Sequence, residues 1–452
     1  MISPVSVERQ GPLGHAQRFF WEDYQADPLR RAQYNSMQRW AVPEGVTVGD
    51  VETAMDTLVR RHESLRTSYL AGDGGEPQQL VHVSAPVALD VVDVSNAVAG
   101  VVDETVAEMR DQVFELAQGP PLRVALVTDG QAPREVVVAT HHIAIDGWAW
   151  TVLQDEFNEL VRGAAGTGTG ELPPVVHQPL DQAEYERSGP GRRSAEKALG
   201  YWESRFAVVP AGLFDPSGDG RGGHHQVDLK SPALMGALRS LRRRQATDAD
   251  SALTGFCAAL GILTGRQICP VMTVSSNRFA TRTKSMVGCL AQPVVVTVDL
   301  ASDPTFEEIL HRTRAATLLA YRHGQYDYAA MKERERDWSA RRGSDLSLNT
   351  YFNFAEYRMV DKDSDIPEPV GATRVSDGPI PHFCGMPDLF MLTVHLRTRY
   401  VGATLVGDVQ NMPPADMVRL LRGWEAIILR GADNPAVPLS ELRDALAAVA
   451  SA

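Results

Sequence analysis

The sequence predicts an α/β protein built from more than one domain, and three observations carry that expectation. The chain has 452 residues, enough for two or three domains of ordinary size. Runs rich in β-branched residues, such as Arg134-Glu135-Val136-Val137-Val138-Ala139, alternate with segments whose apolar residues recur at helical spacing. Residues 163–174 form a Gly/Thr/Pro stretch that reads as a linker. It divides the chain into residues 1–175 and 176–452.

Composition narrows the class. Hydrophobic residues make up 44% and charged residues 22%, as in an ordinary water-soluble fold. The net charge of −13 and pI of about 5.4 argue against nucleic acid as the main partner, since phosphate binding favours a basic surface. Cys257, Cys269, Cys289 and Cys384 show no metal-like or CxxC spacing and read as reduced, buried thiols of a cytoplasmic protein. The segment Met1-Ile2-Ser3-Pro4-Val5 lacks the layout of a signal peptide. No uncharged run approaches the roughly 20 residues that span a bilayer.

Taken in order, Leu13 to Trp21 predicts a short helix with one apolar side. Val51, Ala54, Met55, Leu58 and Val59 keep helical spacing, and Thr47 with Asp50 forms a capping-box start. That helix runs into Arg60-Arg61-His62-Glu63-Ser64-Leu65-Arg66-Thr67-Ser68-Tyr69, whose charges are expected to pair and fix a helix-to-strand junction. Gln78–Val83 and Val87–Val92 read as strands separated at Pro86. Val101–Leu116 reads as a helix, leading to Phe114-Glu115-Leu116-Ala117-Gln118-Gly119-Pro120-Pro121-Leu122-Arg123-Val124.

The strand at 134–139 feeds Thr140-His141-His142-Ile143-Ala144-Ile145-Asp146-Gly147-Trp148. Asp146-Gly147 is a turn signal. Beyond it Trp148, Val152, Phe157, Leu160 and Val161 propose one apolar helix face. Two adjacent histidines therefore stand where a strand ends and a turn feeds a helix. Successive strand side chains point to opposite faces, so one imidazole can face a cavity while the other packs inward. An imidazole exchanges protons near neutrality; a buried structural pair is the plainer alternative.

In the second half, Ala198 to Trp202 lies in a helix. Pro210–Gln226 reads as a loop, with His224 and His225 as an exposed pair. Leu234, Leu238 and Leu241 mark a helix whose other face carries Arg239, Arg242, Arg243 and Arg244, either simply solvated or docking an acidic partner. Ala252–Leu263 is an apolar helix, and Val271–Val274 a buried strand ending in Ser275-Ser276-Asn277-Arg278. Phe306–Tyr321 and Met412–Leu429 read as helices, Asp361–Pro381 as a loop or lid, and Asp388–Val401 as a strand.

The string HHIAIDGW resembles the HHxxxDG signature of the condensation domains of nonribosomal peptide synthetases, acyltransferases similar to chloramphenicol acetyltransferase. RHESLRTSY resembles that family's RHExLRTxF, the string at 114–124 its FDLxxGPLLRV, and Tyr201-Trp202 the YW opening its second half. Three later motifs depart. Met286 to Val294 resembles VGxFVNTxxxR with Gln292 and Pro293 about where Asn and Thr are usual. His323 to Tyr328 is similar to HQDxPFE only in part. Ser344 to Phe352 resembles RDxSRNPLF, keeping Asp345, Ser347, Asn349 and Phe352.

The resemblance implies two chloramphenicol-acetyltransferase-like lobes in a V-shaped pseudo-dimer, with the active site at their interface and a channel from each side. It implies that an amine or alcohol attacks an acyl thioester borne on the 4'-phosphopantetheine of an acyl- or peptidyl-carrier protein. His142 would accept the proton, or hydrogen-bond the amine and the tetrahedral intermediate. His141 and Gly147 would support the loop, Asp146 would shape it in partnership with Arg278, and Trp148, Ser347 and Asn349 are the candidate substrate contacts. No metal or bound cofactor is implied. The start at Met1 and the lack of an evident carrier or adenylation segment resemble the freestanding condensation enzymes. A CoA-dependent O- or N-acyltransferase, an epimerization domain and a noncatalytic recruiting module remain as alternatives.

Overall fold

The valine run at 136–138 becomes the middle of a sheet with both faces covered. In the computed structural model, which describes residues 6–95, 100–210, 212–214, 223–344, 346, 348–355, 372–380 and 389–449, the chain groups into two compact units. One contains residues 1–196, 276–292 and 325–329; the other contains 197–275, 293–324 and 330–452. The sequence places a single boundary at 175/176, whereas the chain passes between the units several times.

The first unit holds β1 (Val7–Pro12), α1 (His15–Ala26), β2 (Asn35–Ala41), α2 (Val48–Arg61), β3 (Thr67–Ala71), β4 (Pro77–His82), β5 (Leu89–Asp93), α3 (Val101–Asp111), β6 (Leu122–Asp129), β7 (Ala132–His141), α4 (Gly147–Ala164) and α5 (Pro179–Arg187). Strands β2-β7-β6-β5 form one sheet and β1-β4-β3 a second. Along β7, Val136 and Val138 enter one core with Trp40, Leu58, Trp150 and Phe157. Val137 and Ala139 enter another with Phe20, Tyr24, Tyr69 and Ile143. Because side chains alternate across a strand, covering both faces demands an unbroken apolar run. Each large side chain so buried contributes roughly 1.5–3 kcal/mol.

Helix α6 (Gly189–Phe206) carries the chain onward. The second unit has β8 (His224–Ser231), α7 (Ala233–Arg242), α8 (Asp248–Thr264) and β9 (Ile268–Ser275). After the short α9 (Thr281–Lys284) come β10 (Gln292–Asp299), α10 (Phe306–Arg322) and α11 (Tyr328–Arg342). The chain closes with β11 (Thr350–Ala355), β12 (Arg374–Ile380), β13 (Phe390–Leu396), β14 (Val401–Asp408), α12 (Pro414–Asp433) and α13 (Leu439–Val449). Its strands order as β10-β9-β11-β13-β14-β8-β12, with β11 parallel to β9 and β13. Helix α8 packs on α12, where Trp424 donates its indole N–H to the Ala252 carbonyl at 2.9 Å.

Several local expectations change. The segment 388–401 is not one strand: β13 ends at Leu396, and β14 returns antiparallel from Val401. Part of the expected loop at 361–381 is strand β12, paired with β8; residues 361–371 and 381 lie outside the described residues. His224 and His225 sit on β8 rather than in a loop. His225 is buried, with its Nε2 2.9 Å from Asp377 on β12. Helix α3 stops at Asp111, five residues early, because Phe114 and Leu116 turn into the core. The Arg123 guanidinium then lies 3.7 Å from the Phe114 ring centroid. The capping box of Thr47 and Asp50 forms as expected. Cys257, Cys269 and Cys289 are buried free thiols; Cys384 lies outside the described residues.

The charges of the 60–69 stretch pair with other elements rather than among themselves. Arg61 and His62 both reach Glu156 on α4, His62 Nε2 at 2.8 Å. Arg9 bonds Glu63, and Arg66 bonds Glu8. Burial pushes the Glu156 carboxyl up, but the hydrogen bonds from His62 and Arg61 outweigh it and hold the group below the usual carboxylate range. Glu156 thereby ties α4 to the end of α2.

Candidate active site

Everything that positions the two histidines belongs to the first unit. Strand β7 pairs with β2 up to His141, opposite Asn35. His142 lies one residue past the ladder, and its backbone N–H donates to the Tyr34 carbonyl at 2.9 Å. Two tight turns follow, with Ala144 N–H bonded to the His141 carbonyl and Ile145 N–H to that of His142. Asp146 then caps α4, its Oδ1 accepting from Ala149 N–H at 2.9 Å.

The two imidazoles have opposite environments. His141 is fully buried, edge-on to Tyr24 and Tyr34. Burial, together with the neighbouring His142, lowers its pKa to about 3, so it stays neutral. Its Nδ1 accepts the Ile143 N–H at 3.2 Å. His142 is half-buried and stacks on the Phe20 ring, with centroids 5.3 Å apart and planes 9° from parallel. Its Nδ1 lies 2.9 Å from the Ile145 carbonyl oxygen. A carbonyl only accepts, so Nδ1 carries the hydrogen and Nε2 of the neutral ring holds the open lone pair. Burial also lowers the His142 pKa, against the opposing pull of the Ile145 carbonyl and of Asp146.

Asp146 is saturated. Besides Ala149 N–H, its carboxylate accepts Arg278 Nη2 at 2.8 and 3.0 Å and the N–H groups of Leu290 and Ala291 at 2.9 and 3.2 Å. Arg278 donates further to the carbonyls of Thr283, Met286 and Gly288. Both residues are buried, at 1% and 4% exposure. A buried ion pair survives only when its remaining donors and acceptors are also satisfied, and here backbone groups supply most of those partners. Asp146 thus organises the loop after β9 and has no lone pair left for proton transfer.

Gly147 opens α4. Trp148 is not on the apolar face assigned to it: it is 46% exposed and donates its indole N–H to the Lys284 carbonyl at 2.8 Å. The buried stripe of α4 runs through Ala149, Trp150, Leu153, Phe157 and Val161. Gln292, which departs from the resembling motif, is buried and exchanges hydrogen bonds with the Tyr326 backbone at 2.9 and 3.4 Å. Asn349 immediately precedes β11 in the second unit, its carbonyl accepting Phe390 N–H at 2.9 Å. Ser347 lies outside the described residues. Burial pushes the Cys289 thiol well up, and nearby Asp146 adds to the shift, so Cys289 offers no thiolate. Among the described residues no group of three or more His, Cys, Asp or Glu is placed to hold a metal, and no helix is long and apolar enough to cross a membrane.

Sequence reasoning missed Phe20, the Ile145 carbonyl and the Leu290 and Ala291 N–H groups. Two of these three contributions are backbone atoms, which leave no residue-type signal.

Residues 7–375 match the sequence profile of the family described as Condensation domain. The chain belongs to that family. Condensation domains are acyltransferase-type catalysts that act on substrates carried by carrier proteins. The chain is 27% identical over 335 residues to chondramide synthase cmdD of Chondromyces crocatus, covering 71% of this chain and 8% of that protein. It is 30% identical over 322 residues to phosphinothricin tripeptide synthetase PhsC of Streptomyces viridochromogenes, covering 68% and 29%. It therefore spans a minor part of the curated relatives it matches. Among solved structures, the SgcC5 protein from Streptomyces globisporus aligns at TM-score 0.72 and 20% identity, over 95% of this chain and 100% of that one. The shared architecture is the two-lobed, chloramphenicol-acetyltransferase-like α/β fold.

Proposed function

We propose that this chain forms an amide or ester bond by transferring an acyl group from a carrier-borne thioester to an amine or alcohol acceptor. The observation that supports this most directly is the fixed tautomer of His142: Nδ1–H on the Ile145 carbonyl, Nε2 open. The acceptor nitrogen or oxygen attacks the thioester carbonyl carbon, forming a C–N or C–O bond. As the tetrahedral intermediate develops, Nε2 accepts the hydrogen bond or the proton that the nucleophile must lose. The C–S bond then breaks, and the pantetheine sulfur leaves as thiolate and takes up that proton. The depressed pKa keeps the imidazole neutral at pH 7 and ready to accept.

An α-helix leaves its first N–H groups without intrahelical partners. At α4 the Asp146 side chain takes that of Ala149, leaving those of Gly147 and Trp148 as our candidates to meet the developing oxyanion. Exposed Trp148 is a proposed substrate contact; Ser347 and Asn349 stay candidates on the family resemblance. His141 and Gly147 shape the loop, and Asp146 with Arg278 holds it. No resident metal or cofactor enters the scheme; the phosphopantetheine arm belongs to the carrier.

An alcohol acceptor is kept beside an amine because the SgcC5 protein was solved with (R)-1-(2-naphthyl)-1,2-ethanediol. The test is a single-turnover mass-spectrometric assay. Acyl-pantetheine thioesters and a panel of amines and alcohols are mixed with wild type and with His142→Ala. Product from wild type and a drop of roughly 10²–10⁴-fold in the variant is expected. Equal rates from the two proteins would remove His142 from the chemistry. If neither protein makes product but both bind a loaded carrier, a recruiting module or a stricter substrate demand is the better account.

A further inference from the structure

We infer that Phe20 is a positioning residue for the reaction: its ring fixes the plane of the His142 imidazole so that Nε2 presents its lone pair in one direction. The inference rests on the proposed role of His142 and adds a residue to it.

The terminal torsion of histidine is broad and roughly two-fold. Two constraints are therefore needed to fix such a ring, one for its plane and one to choose between its two flips. The Ile145 carbonyl chooses the flip, because only Nδ1–H satisfies it at 2.9 Å. It sets the plane poorly, since hydrogen bonds to carbonyl oxygens tolerate a broad range of directions. The second contact is the Phe20 ring, offset-stacked at 5.3 Å and 9°.

Phe20 is itself held rigidly. Phe19 meets it edge-on at 4.9 Å and Tyr34 at 5.0 Å, and it is buried. Tyr34 also supplies the carbonyl that anchors the His142 backbone. Helix α1, which carries Phe20, is pinned at its start: Glu186 accepts the His15 N–H at 2.7 Å, and Gln17 accepts the Gly14 N–H at 2.8 Å. Side chain and backbone of His142 are thus referenced to one aromatic cluster.

The test uses the full chain with Phe20→Leu and Phe20→Tyr. Leucine keeps apolar volume without a ring face; tyrosine keeps the face. Nitrogen-15 NMR of histidine-labelled protein, with His142 assigned by its loss in His142→Ala, reads tautomer and titration without needing activity. Wild type and Phe20→Tyr are expected to show one Nδ1–H tautomer. In Phe20→Leu the freed ring plane weakens the Nδ1–H bond to the Ile145 carbonyl, so a tautomer mixture and a shifted titration midpoint are expected, with a single-turnover rate on soluble acyl-pantetheine down about tenfold or more and substrate affinity unchanged. A Phe20→Leu protein with wild-type tautomer, midpoint and rate overturns the inference. If wild type has no turnover, the proposed function fails, and the NMR comparison alone still decides whether Phe20 orients the ring.

Discussion

Removing Arg278 is the sharpest perturbation of the loop that carries Asp146. In wild type the carboxylate accepts five hydrogen bonds, two from Arg278 Nη2 and three from backbone N–H groups. Arg278→Ala leaves a charge at 1% exposure without its cation and strips the Thr283, Met286 and Gly288 carbonyls of their donor. Breaking one side of a buried pair costs roughly 3–5 kcal/mol. In a unit of 150–250 residues, each kcal/mol moves Tm by roughly 2–4 °C, so a fall of about 6–20 °C is expected. Asp146→Asn is also destabilising, because its new NH₂ group faces donors. The double variant Asp146→Asn/Arg278→Ala no longer buries an unpaired charge, so its loss falls short of the sum of the single losses by about 1–3 kcal/mol. Urea denaturation of the four proteins measures that coupling. Losses that add within about 0.5 kcal/mol would falsify the claim that the two side chains act as one unit.

Two further outcomes follow from single positions. His141 has a folded pKa of about 3 against 6.5 unfolded, so the unfolded chain binds the extra proton. The stability that His141 contributes is therefore complete above pH 6.5 and is lost as pH falls. At pH 4.5 the loss is roughly 2–3 kcal/mol. His141→Gln, though weaker at pH 7, should show a smaller change in urea midpoint between pH 7 and pH 4.5; an unchanged acid slope contradicts the assignment. In the second unit, a Cβ on Gly431 would lie 2.4 Å from the ring of Phe306, which is fully buried. Gly431→Ala should cost about 1–3 kcal/mol by overpacking, and an unchanged thermal midpoint would show that α12 shifts freely there.

The parts legible in the sequence were those where side-chain type reports environment. The valine run of β7 showed a strand, and Thr47 with Asp50 showed a helix start. Asp146 and Arg278 were paired only through the family resemblance; nothing in the 132-residue interval between them announces a contact. The misreadings have physical causes. Trp148 was placed on the apolar face of its helix by hydrophobicity, yet its indole N–H needs a partner and finds it at the Lys284 carbonyl. His225 was assigned to a loop by its glycine-rich flank, although Val227 and Leu229 beyond it continue a β8 alternation of buried and half-buried positions. The discontinuous units were illegible because segments 276–292 and 325–329 join the first unit through long-range contacts such as those to Asp146 and to Glu186. Composition does not change where the chain crosses.

The three-residue spacer of HHxxxDG has its own physical account in these contacts. The ladder of β7 ends at His141, so that ring still obeys the strand alternation and packs inward. One residue later the chain is turning, and the His142 ring is free of that alternation. Two successive i to i+3 bonds, Ala144 to His141 and Ile145 to His142, then bring the Ile145 carbonyl back to the Nδ1 edge of the His142 ring. The next residue, Asp146, has an extended backbone, and its side chain caps the new helix. A spacer one residue shorter would put the capping residue inside the turn. One residue longer would move the carbonyl off Nδ1 and release the tautomer. The identities of Ile143, Ala144 and Ile145 are fixed only by burial; their number is fixed by the two bonds that link strand end, imidazole and helix cap.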